Sequence, residues 1–381
     1  MDESNLSLAV KLQLIADPDD VRALKETMHA YTKACNFISA CVFSSKDMNK
    51  RHIHDLYYRK LKDEFSLKAQ MAESVIKTVI ARYKAIVSNH QQWTKVKFQC
   101  YEYDLVYNRD YSFLKDGRLS VNTLNKRIKL SYHSEGLENY FNGSWNFGTA
   151  KLVNKHGRMF LHASVTCEKA ELPDYFCTNI VGIDRGLRFA AVTYDSMGKT
   201  VFYSGAQIKQ KRAHYKRIRS SLQRKRTSSS RRRLMAIGHR ENRWMRDVNH
   251  CIAKALVNSQ PEGTYFVLED LTNIRGATEC VCIKQRYYTV SWPYYDLEQK
   301  IIYKAKLHDC VTVKTNPAYT SQTCPKCGHV DKNSRNKRTH TFKCIRCGYQ
   351  SNDDRIAAMN LFQKGKKYLE ELEDSILSPK G

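Results

Sequence analysis

Four cysteines near the C-terminal end of this 381-residue chain have the spacing of a metal site. They form two Cys-x-x-Cys pairs, separated by the sixteen residues from Gly328 to Lys343, and a glycine follows each pair. A glycine there suits a tight turn that directs backbone N–H groups at thiolate sulfur. The pattern therefore predicts a closed, tetrahedral structural zinc site in preference to disulfides or a thioredoxin-like redox pair. The predicted ligands are Cys324, Cys327, Cys344 and Cys347.

Two adjacent aspartates follow the second cysteine pair. Asp353 and Asp354 stand at the start of an apolar helical pattern that continues to Leu361. A carboxylate at the start of a helix can take part in catalysis only together with other functional side chains. Partner carboxylates must therefore come from other parts of the chain.

The composition indicates a folded protein with a polyanionic partner. Hydrophobic residues make up 42% of the chain, and its formal net charge is +26 at pH 7. This charge favours nucleic acid as the partner, and a membrane surface is the alternative, although no segment is both long and apolar enough to insert. The N-terminus shows no secretory signal, and the odd total of thirteen cysteines indicates a reducing interior. We therefore expect a cytoplasmic protein.

The first half of the chain predicts a β-barrel with an inserted helical module. Residues 6–14 alternate as a strand, and helical periodicity then continues to about residue 87. From residue 95 to 166 the period changes to two, with turn signals between short runs. Tyrosines here alternate with lysine and arginine, which suits single-stranded nucleic acid but is also ordinary for strands.

The second half opens like a ribonuclease-H-like sheet. Three short strands lie in residues 180–203, and the first of them ends at Asp184. A further buried strand ends at Glu269, and a helix over residues 291–306 and a strand over 311–314 precede the cysteine pairs. These patterns predict an α/β domain with acids at its strand ends.

Residues 209–246 are the most basic part of the chain, with fifteen Lys or Arg in 38 residues and one acid, Glu241. A break at residues 227–230 separates two helical runs and predicts a hairpin. Like charges this dense repel one another, which favours phosphate contacts over a merely solvated face, and a nuclear-localisation signal is a further alternative. The candidate nucleic-acid contacts are Lys211, Arg212, Lys216, Arg217, Arg219, Arg224, Arg226, Arg231, Arg232 and Arg233.

Three acids form the candidate catalytic group. Asp184 and Glu269 end strands and Asp354 begins a helix, and such positions converge on one edge of an α/β sheet. Three carboxylates with water suit Mg²⁺ or Mn²⁺. Two such ions would activate water and stabilise the leaving oxygen in phosphodiester hydrolysis. The alternative is that each acid is only a helix cap or a surface group.

These residues resemble the TnpB family of transposon-encoded, RNA-guided nucleases, which are related to the compact type V CRISPR effectors. The resemblance rests on four motifs and is strongest over about 175–361. The family's pattern makes Asp184, Glu269 and Asp354 the residues that carry the catalytic metals. The chain departs from it at Ile356, where the family usually has asparagine, so Asp353 is the alternative to Asp354. The motifs are G-I-D-R-G at 182–186, L-E-D-L-T-N-I-R at 268–275, the double Cys-x-x-Cys ribbon and D-R-I-A-A-M-N at 354–360.

The resemblance implies a multidomain α+β architecture. Residues 1–15 and 95–172 would form a wedge-type β-barrel, with a helical recognition domain inserted at 16–94. Residues 173–319 and 349–381 would form a ribonuclease-H-like (RuvC) nuclease domain, which carries the basic hairpin 206–258. The zinc ribbon, residues 320–348, would be inserted in that domain.

The resemblance also implies a mechanism. A guide RNA from the transposon end would pair with target DNA, while the protein reads a short flanking motif and cuts both strands at one metal-dependent site. The hairpin would line the heteroduplex channel, and the protein would act at the nucleoid of a prokaryotic cell. Two alternatives remain, namely a compact type V CRISPR effector and an RNA-guided DNA-binding repressor whose nuclease is idle.

Overall fold

The computed structural model describes residues 5–99, 102–169, 179–271 and 294–377. The chain divides into two compact units, Met1–Lys169 and Ala170–Gly381. The domain boundary predicted at 172/173 and the end of the second motif, 272–275, lie outside the described residues. The finer division into four domains stays a prediction.

The first unit begins with strand β1 (Asn5–Ile15). Three helices follow it: α1 (Pro18–Ser45), α2 (Lys50–Asp63) and α3 (Ala69–Ser88). The Asp17 side chain caps α1 by accepting a hydrogen bond from the backbone N of Asp20 at 2.8 Å. Pro18 occupies the first turn, where a missing N–H costs nothing. Of the apolar face predicted from the sequence, Val21 is half-buried and the other residues are buried: Leu24, Met28, Tyr31, Cys35 and Ile38.

The sheet of the first unit has seven antiparallel strands in the order β2-β6-β7-β1-β5-β4-β3. Strand β7 shows its alternation clearly, because every second residue from Met159 to Cys167 is buried. Hydroxyl groups join strands from opposite ends of this order: Tyr103 donates to the carbonyl of Asn122, and Tyr111 to that of Gly148, both at 3.0 Å. The sheet therefore curls back on itself. The further strands are β2 (Glu102–Val106), β3 (Tyr111–Phe113), β4 (Leu119–Asn122), β5 (Arg127–His133), β6 (Asn146–Lys155) and β7 (Arg158–Glu168).

The same contacts correct the expectation about tyrosines. Tyr103 and Tyr111 have no exposed surface, so their rings belong to the core and cannot stack on bases. They follow the ordinary preference of tyrosine for strands, with the hydroxyl satisfied inside the unit.

The second unit contains a five-stranded sheet in the order β10-β9-β8-β11-β12. The first three strands are antiparallel, whereas β11 runs parallel to β8, and β12 parallel to β11. This matches the sheet opening expected from the sequence. The strands are β8 (Asn179–Asp184), β9 (Phe189–Asp195), β10 (Thr200–Ser204), β11 (Thr264–Glu269) and β12 (Val311–Thr315).

Helices cover both faces of this sheet. Strand β11 is buried throughout, and its side chains alternate between two cores. Phe266 and Leu268 pack with residues of α5 and α6, while Tyr265 and Val267 pack with α7. The continuous apolar run in the sequence reflects this double burial. The helices are α4 (Ala206–Lys225), α5 (Ser228–Asn258), α6 (Tyr294–Leu307) and α7 (Asp353–Leu377).

Two glycines let α7 approach the sheet. A Cβ atom on Gly182 would lie only 2.1 Å from the carbonyl oxygen of Ala358, and one on Gly365 would lie 2.4 Å from Val267. This close approach fixes the N-terminal end of α7 beside the carboxyl end of β8.

A small ribbon connects β12 to α7. Its three strands are β13 (Arg335–Asn336), β14 (Thr341–Lys343) and β15 (Gln350–Asn352). Ile356 is fully buried in the ribbon core with Phe342. The residue that departs from the TnpB pattern therefore serves packing between α7 and the ribbon. Among the helices that the structure describes, none could cross a membrane.

Candidate active site and zinc site

The three predicted acids converge on one cavity of about 1160 Å³. Asp184 ends β8 and Glu269 ends β11, and because these strands are parallel neighbours, their carboxyl ends lie at the same edge. Asp354 reaches the cavity from the first turn of α7, where the Asn352 side chain accepts a hydrogen bond from its backbone N at 3.0 Å. Each acid is only 9% exposed.

Burial shifts the pKa values of all three acids, and their mutual proximity adds to the shift at Asp184. Burial, followed by the negative charges of Glu269 and Asp354, raises the pKa of Asp184 well above its usual range. Burial also raises the pKa of Glu269, although the Thr320 hydroxyl and the Arg185 charge oppose the rise. Burial and then the neighbouring Asp353 raise the pKa of Asp354. The cluster thus holds more negative charge than its surroundings stabilise.

The carboxylates that line this cavity suit a divalent cation, and the acidic group whose ligand atoms all lie within 4.8 Å of one another comprises His340, Asp353 and Asp354. Oδ2 of Asp354 is buried and has no hydrogen-bond partner among the described residues. Buried carboxylate oxygens normally have one, so this oxygen suits a ligand of another kind. Oxygen donors are what Mg²⁺ and Mn²⁺ prefer.

Asp353 differs sharply from Asp354. Its side chain is fully buried, one oxygen accepting a hydrogen bond from Nε of Arg335 at 2.9 Å and the other lying 3.4 Å from Nδ1 of His340. Asp353 does not line the cavity, whereas Asp354 does. This geometry favours Asp354 as the third acid and gives Asp353 the role of anchoring the ribbon.

Sequence reasoning missed several residues that line the cavity. Arg335 and His340 reach it from the ribbon, and Thr320 from the segment before it. No spacing pattern links the first two to the acids, because the ribbon fold alone brings them there. Thr320 lies just before the first cysteine pair, and this proximity to the predicted zinc site was the one sequence feature that could have indicated it.

Arg185 is another residue whose role the sequence did not reveal. Its side chain is fully buried beside the cavity, and it donates to Oε2 of Glu298 at 2.7 Å and to the backbone carbonyl of Glu269 at 2.5 Å. It therefore ties the ends of β8 and β11 to α6. A buried ion pair of this kind contributes little to the net free energy of folding, so its main effect here is to fix the positions of the two strand ends.

The four ribbon cysteines form a cluster in which all four sulfur atoms lie within 4.8 Å of one another. Sγ of Cys324 is 3.6 Å from that of Cys347, and Sγ of Cys327 is 3.7 Å from that of Cys344. A disulfide bond would need about 2.05 Å. Four sulfur atoms bound to zinc at about 2.3 Å in a tetrahedron would be roughly 3.8 Å apart, so the cluster fits zinc.

Backbone groups prepare this cluster for thiolates. Gly328 and Gly348 have φ of 70° and 72°, the left-handed conformation expected after each pair. The backbone N–H of Cys347 is the main cause that lowers the pKa of Cys344 to about 6. The knuckles predicted from the sequence are thus present in the structure.

The ribbon also carries a basic groove of about 510 Å³. Arg335 borders both this groove and the cavity of the acids, so the two are neighbours. The groove is lined by Gln322, Lys332, Asn333, Arg335, Asn336, Lys337 and Arg338.

The basic hairpin of α4 and α5 is present, but one of its candidate contacts, Arg212, faces inward. Arg212 is 4% exposed and its Nε lies 3.6 Å from Oε1 of Glu241, which also pairs with Arg219. Glu241 is buried, so it joins the two helices from inside. Arg212 is therefore corrected to a hairpin-stabilising residue, whereas Arg219, whose side chain is 25% exposed, stays a candidate contact that also pairs with Glu241. The other candidates are exposed or half-buried: Lys211, Lys216, Arg217, Arg224, Arg226, Arg231, Arg232 and Arg233.

Comparisons with known proteins bear on the same region. A family model described as the Cas12f1-like TNB domain matches residues 294–361, which include α6, β12, the ribbon and the start of α7. The CRISPR-associated endodeoxyribonuclease Cas12f1 of Sulfoacidibacillus thermotolerans is 46% identical over 94 residues, which are 25% of this chain and 20% of that protein. A TnpB-like protein of Methanocaldococcus jannaschii is 33% identical over 129 residues, 33% of this chain and 45% of that protein.

The solved structure of a Cas12f1–sgRNA–target DNA complex extends the likeness to the whole fold. Its protein superposes with a TM-score of 0.64 at 14% identity, covering 94% of this chain and 99% of that chain. The chain is similar in sequence to Cas12f1 endodeoxyribonucleases and to a TnpB-like protein. The resemblance inferred from the motifs is confirmed, and the shared fold is mixed α+β with several sheets. The matched parts span less than half of the two relatives in sequence.

Proposed function

We propose that the chain is an RNA-guided DNA endonuclease that hydrolyses phosphodiester bonds at Asp184, Glu269 and Asp354. The observation that carries this proposal is their convergence. Acids from three distant parts of the sequence line one cavity with their carboxylates buried, and the charges of Glu269 and Asp354 add to burial in raising the pKa of Asp184. Structural acids are normally paired, and a cluster under such repulsion is typical of a metal-dependent active site.

The domain assignment belongs to the same proposal. The five-stranded sheet with α4–α7 would be the RuvC-like nuclease domain, with the zinc ribbon of residues 320–348 inserted before α7. In the first unit, the curled sheet of residues 1–15 and 95–172 would be the wedge barrel, and residues 16–94 the recognition helices. The order of strand, helices and strands in that unit supports this assignment.

The chemistry follows from the donor set. Asp184, Glu269 and Asp354 would hold Mg²⁺ or Mn²⁺, which when bound supplies Lewis-acid activation of water and charge stabilisation at the leaving oxygen. Arg335 adds a positive charge at the edge of the cavity, fixed by its bonds to Asp353 and to Oγ of Ser321 at 2.8 Å. A fixed guanidinium there would bind a phosphate oxygen of the strand being cut. The ribbon groove continues this positive surface.

Guide RNA would bind through the basic hairpin. Its exposed arginines form a dense surface whose inner pairs with Glu241 keep the two helices together. Each phosphate contact releases counterions, so affinity for RNA should fall steeply with salt. The named relatives come from a bacterium and an archaeon, which supports action on DNA in a prokaryotic cell.

The source of the guide separates two versions of this function. A guide copied from a transposon end would make the chain a TnpB nuclease, whereas one from a repeat array would make it a CRISPR effector. Sequencing the RNA that co-purifies with the protein distinguishes them. The idle-repressor alternative is disfavoured because all three acids are present and line the cavity.

The test is cleavage of a plasmid library with a randomised sequence beside the target. Protein purified with its own RNA should cut a subset of the library when Mg²⁺ is added and none with EDTA. Asp184→Ala should abolish cutting, because it removes one metal ligand. Asp247→Asn, at an exposed acid of α5, is the matched control and should cut normally. Absence of cutting by the wild-type complex would refute the proposal.

A further inference from the structure

Thr320 contacts one of the three acids directly. Its hydroxyl donates to Oε1 of Glu269 at 2.6 Å, and the residue is 3% exposed. Hydrogen bonds to a carboxylate are short and strong, and this one occupies a single oxygen of Glu269. The hydroxyl also lies 3.0 Å from the carbonyl of Pro317, but it has one proton to give. An ionised Glu269 is the stronger acceptor.

Thr320 is itself held from behind by α7. Nδ2 of Asn360 donates to the carbonyl of Thr320 at 2.7 Å and to that of Thr323 at 2.8 Å. Asn360 is 4% exposed, so both hydrogen bonds are shielded from water. An amide NH₂ has two protons, and both are used here.

The anchoring extends along the segment that leads into the ribbon. Nζ of Lys364 donates to the carbonyls of Asn316 and Ala318 at 2.7 and 3.2 Å, and Nε2 of Gln363 to that of Pro325 at 3.0 Å. Helix α7, whose first turn carries Asp354, thus fixes the same segment that contacts Glu269. Hydrogen bonds from Asn360 to Thr320 and from Thr320 to Glu269 therefore link Glu269 to the helix that carries Asp354.

We propose that Thr320 is a positioning residue, which holds one oxygen of Glu269 so that the other stays available to the catalytic cation, and that Asn360 holds Thr320 in place. Ligand carboxylates are commonly oriented by such hydrogen bonds, and without them the carboxylate turns among rotamers. The inference rests on the proposed function, because it assumes that Glu269 is a metal ligand.

The experiment measures Mn²⁺ binding by the purified full-length protein without nucleic acid, by isothermal titration calorimetry and electron paramagnetic resonance. Thr320→Val keeps the shape and removes the donor, and it should weaken Mn²⁺ binding about 10-fold. Thr320→Ser keeps the hydroxyl and should bind nearly as the wild type does. In cleavage assays, Thr320→Val should raise the Mg²⁺ concentration for half-maximal rate and leave the rate at saturating Mg²⁺ largely intact.

Gln363→Leu is the matched control. It removes the hydrogen bond from α7 to the carbonyl of Pro325, which holds the same segment but does not involve Glu269. It should leave Mn²⁺ affinity unchanged. Bound zinc and melting temperature report folding, and Asn360→Ala provides a second break in the same path should Thr320→Val fold poorly. Equal Mn²⁺ affinity in wild type, Thr320→Val and Asn360→Ala would overturn the inference and leave the nuclease standing. A wild type without an Asp184-dependent Mn²⁺ site would overturn the metal centre itself, and the inference with it.

Discussion

The zinc cluster and the carboxylate cluster lie in the same unit but are assembled in opposite ways. The four cysteines come from two short turns between residues 324 and 347, and each turn carries its own backbone N–H donors. The three acids come from residues 184, 269 and 354, on two strands and a helix. The first cluster is local, and the second exists only once the sheet and α7 have packed.

The two clusters also differ in the pKa values of their side chains. In the knuckles, the backbone N–H of Cys347 lowers the pKa of Cys344 to about 6, whereas burial raises the pKa of Cys324 to about 12. The acids instead oppose one another, as the raised pKa of Asp184 shows. A structural ion completes a fold, whereas a catalytic centre remains under strain until its cofactor and substrate arrive.

The largest effect should come from breaking the carboxylate cluster at α7. Asp354→Asn should lower DNA cleavage at least about 100-fold, since it removes a charged group that faces the reaction. Asp353→Asn should cost only about 10-fold, because Asp353 acts through Arg335 and His340. Single-turnover cleavage rates at saturating Mg²⁺ measure both. The reverse ranking would show that Asp353 is the metal ligand.

Breaking the zinc cluster should next affect folding. Cys344→Ser should lower the bound zinc per chain and destabilise the second unit by about 3 kcal/mol or more, because zinc-binding free energy is folding free energy. Metal analysis and thermal denaturation measure these changes. Cys251→Ser, at an exposed cysteine of α5, should alter neither quantity. Unchanged zinc in the Cys344 variant would refute the site.

A substitution at Gly182 separates the two clusters. Gly182→Ala would push α7 from β8, at a cost of about 1–3 kcal/mol, and should weaken Mn²⁺ binding at the acids without loss of zinc. Calorimetric Mn²⁺ titration and zinc analysis test this. In the control Gly238→Ala, nothing lies within 4 Å of the added Cβ on helix α5, so the protein should be slightly stabilised. A parallel loss of zinc would contradict the separation of the clusters.

The smallest effect concerns stability without metal. Asp184→Asn should raise the melting temperature of the Mg²⁺-free protein by a few degrees, because it removes a buried charge from a crowded cluster. As pH rises, the unfolded chain ionises Asp184 near its ordinary pKa of about 3.9, while the folded chain keeps its proton longer. Folding therefore loses stability from that pH upward to the raised pKa. The gain from Asn should vanish near pH 3 and grow as the pH rises above about 4, which thermal scans across pH can check.

Much of this architecture could be predicted because its signals are local. The alternation of residues 159–167, the apolar face of α1 and the spacing of the cysteines each reflect neighbouring residues along the chain. The burial of Arg212 and the pairing of Arg219 with Glu241 could not be predicted, because both depend on how α4 meets α5. The burial of Tyr103 and Tyr111 could not be predicted either, because it depends on how distant strands of the sheet come together.

Residue type and spacing were enough to predict the candidate metal ligands, namely the four cysteines and the candidate acids, because they limit what ligands these residues can be. The tertiary structure alone decided which of two adjacent aspartates faces the cavity. It also brought Arg335 and Thr320 to the acids and placed Ile356 in the ribbon core. These outcomes depend on the side from which α7 meets the ribbon and the sheet, and contacts between distant segments leave no periodic trace in a single chain.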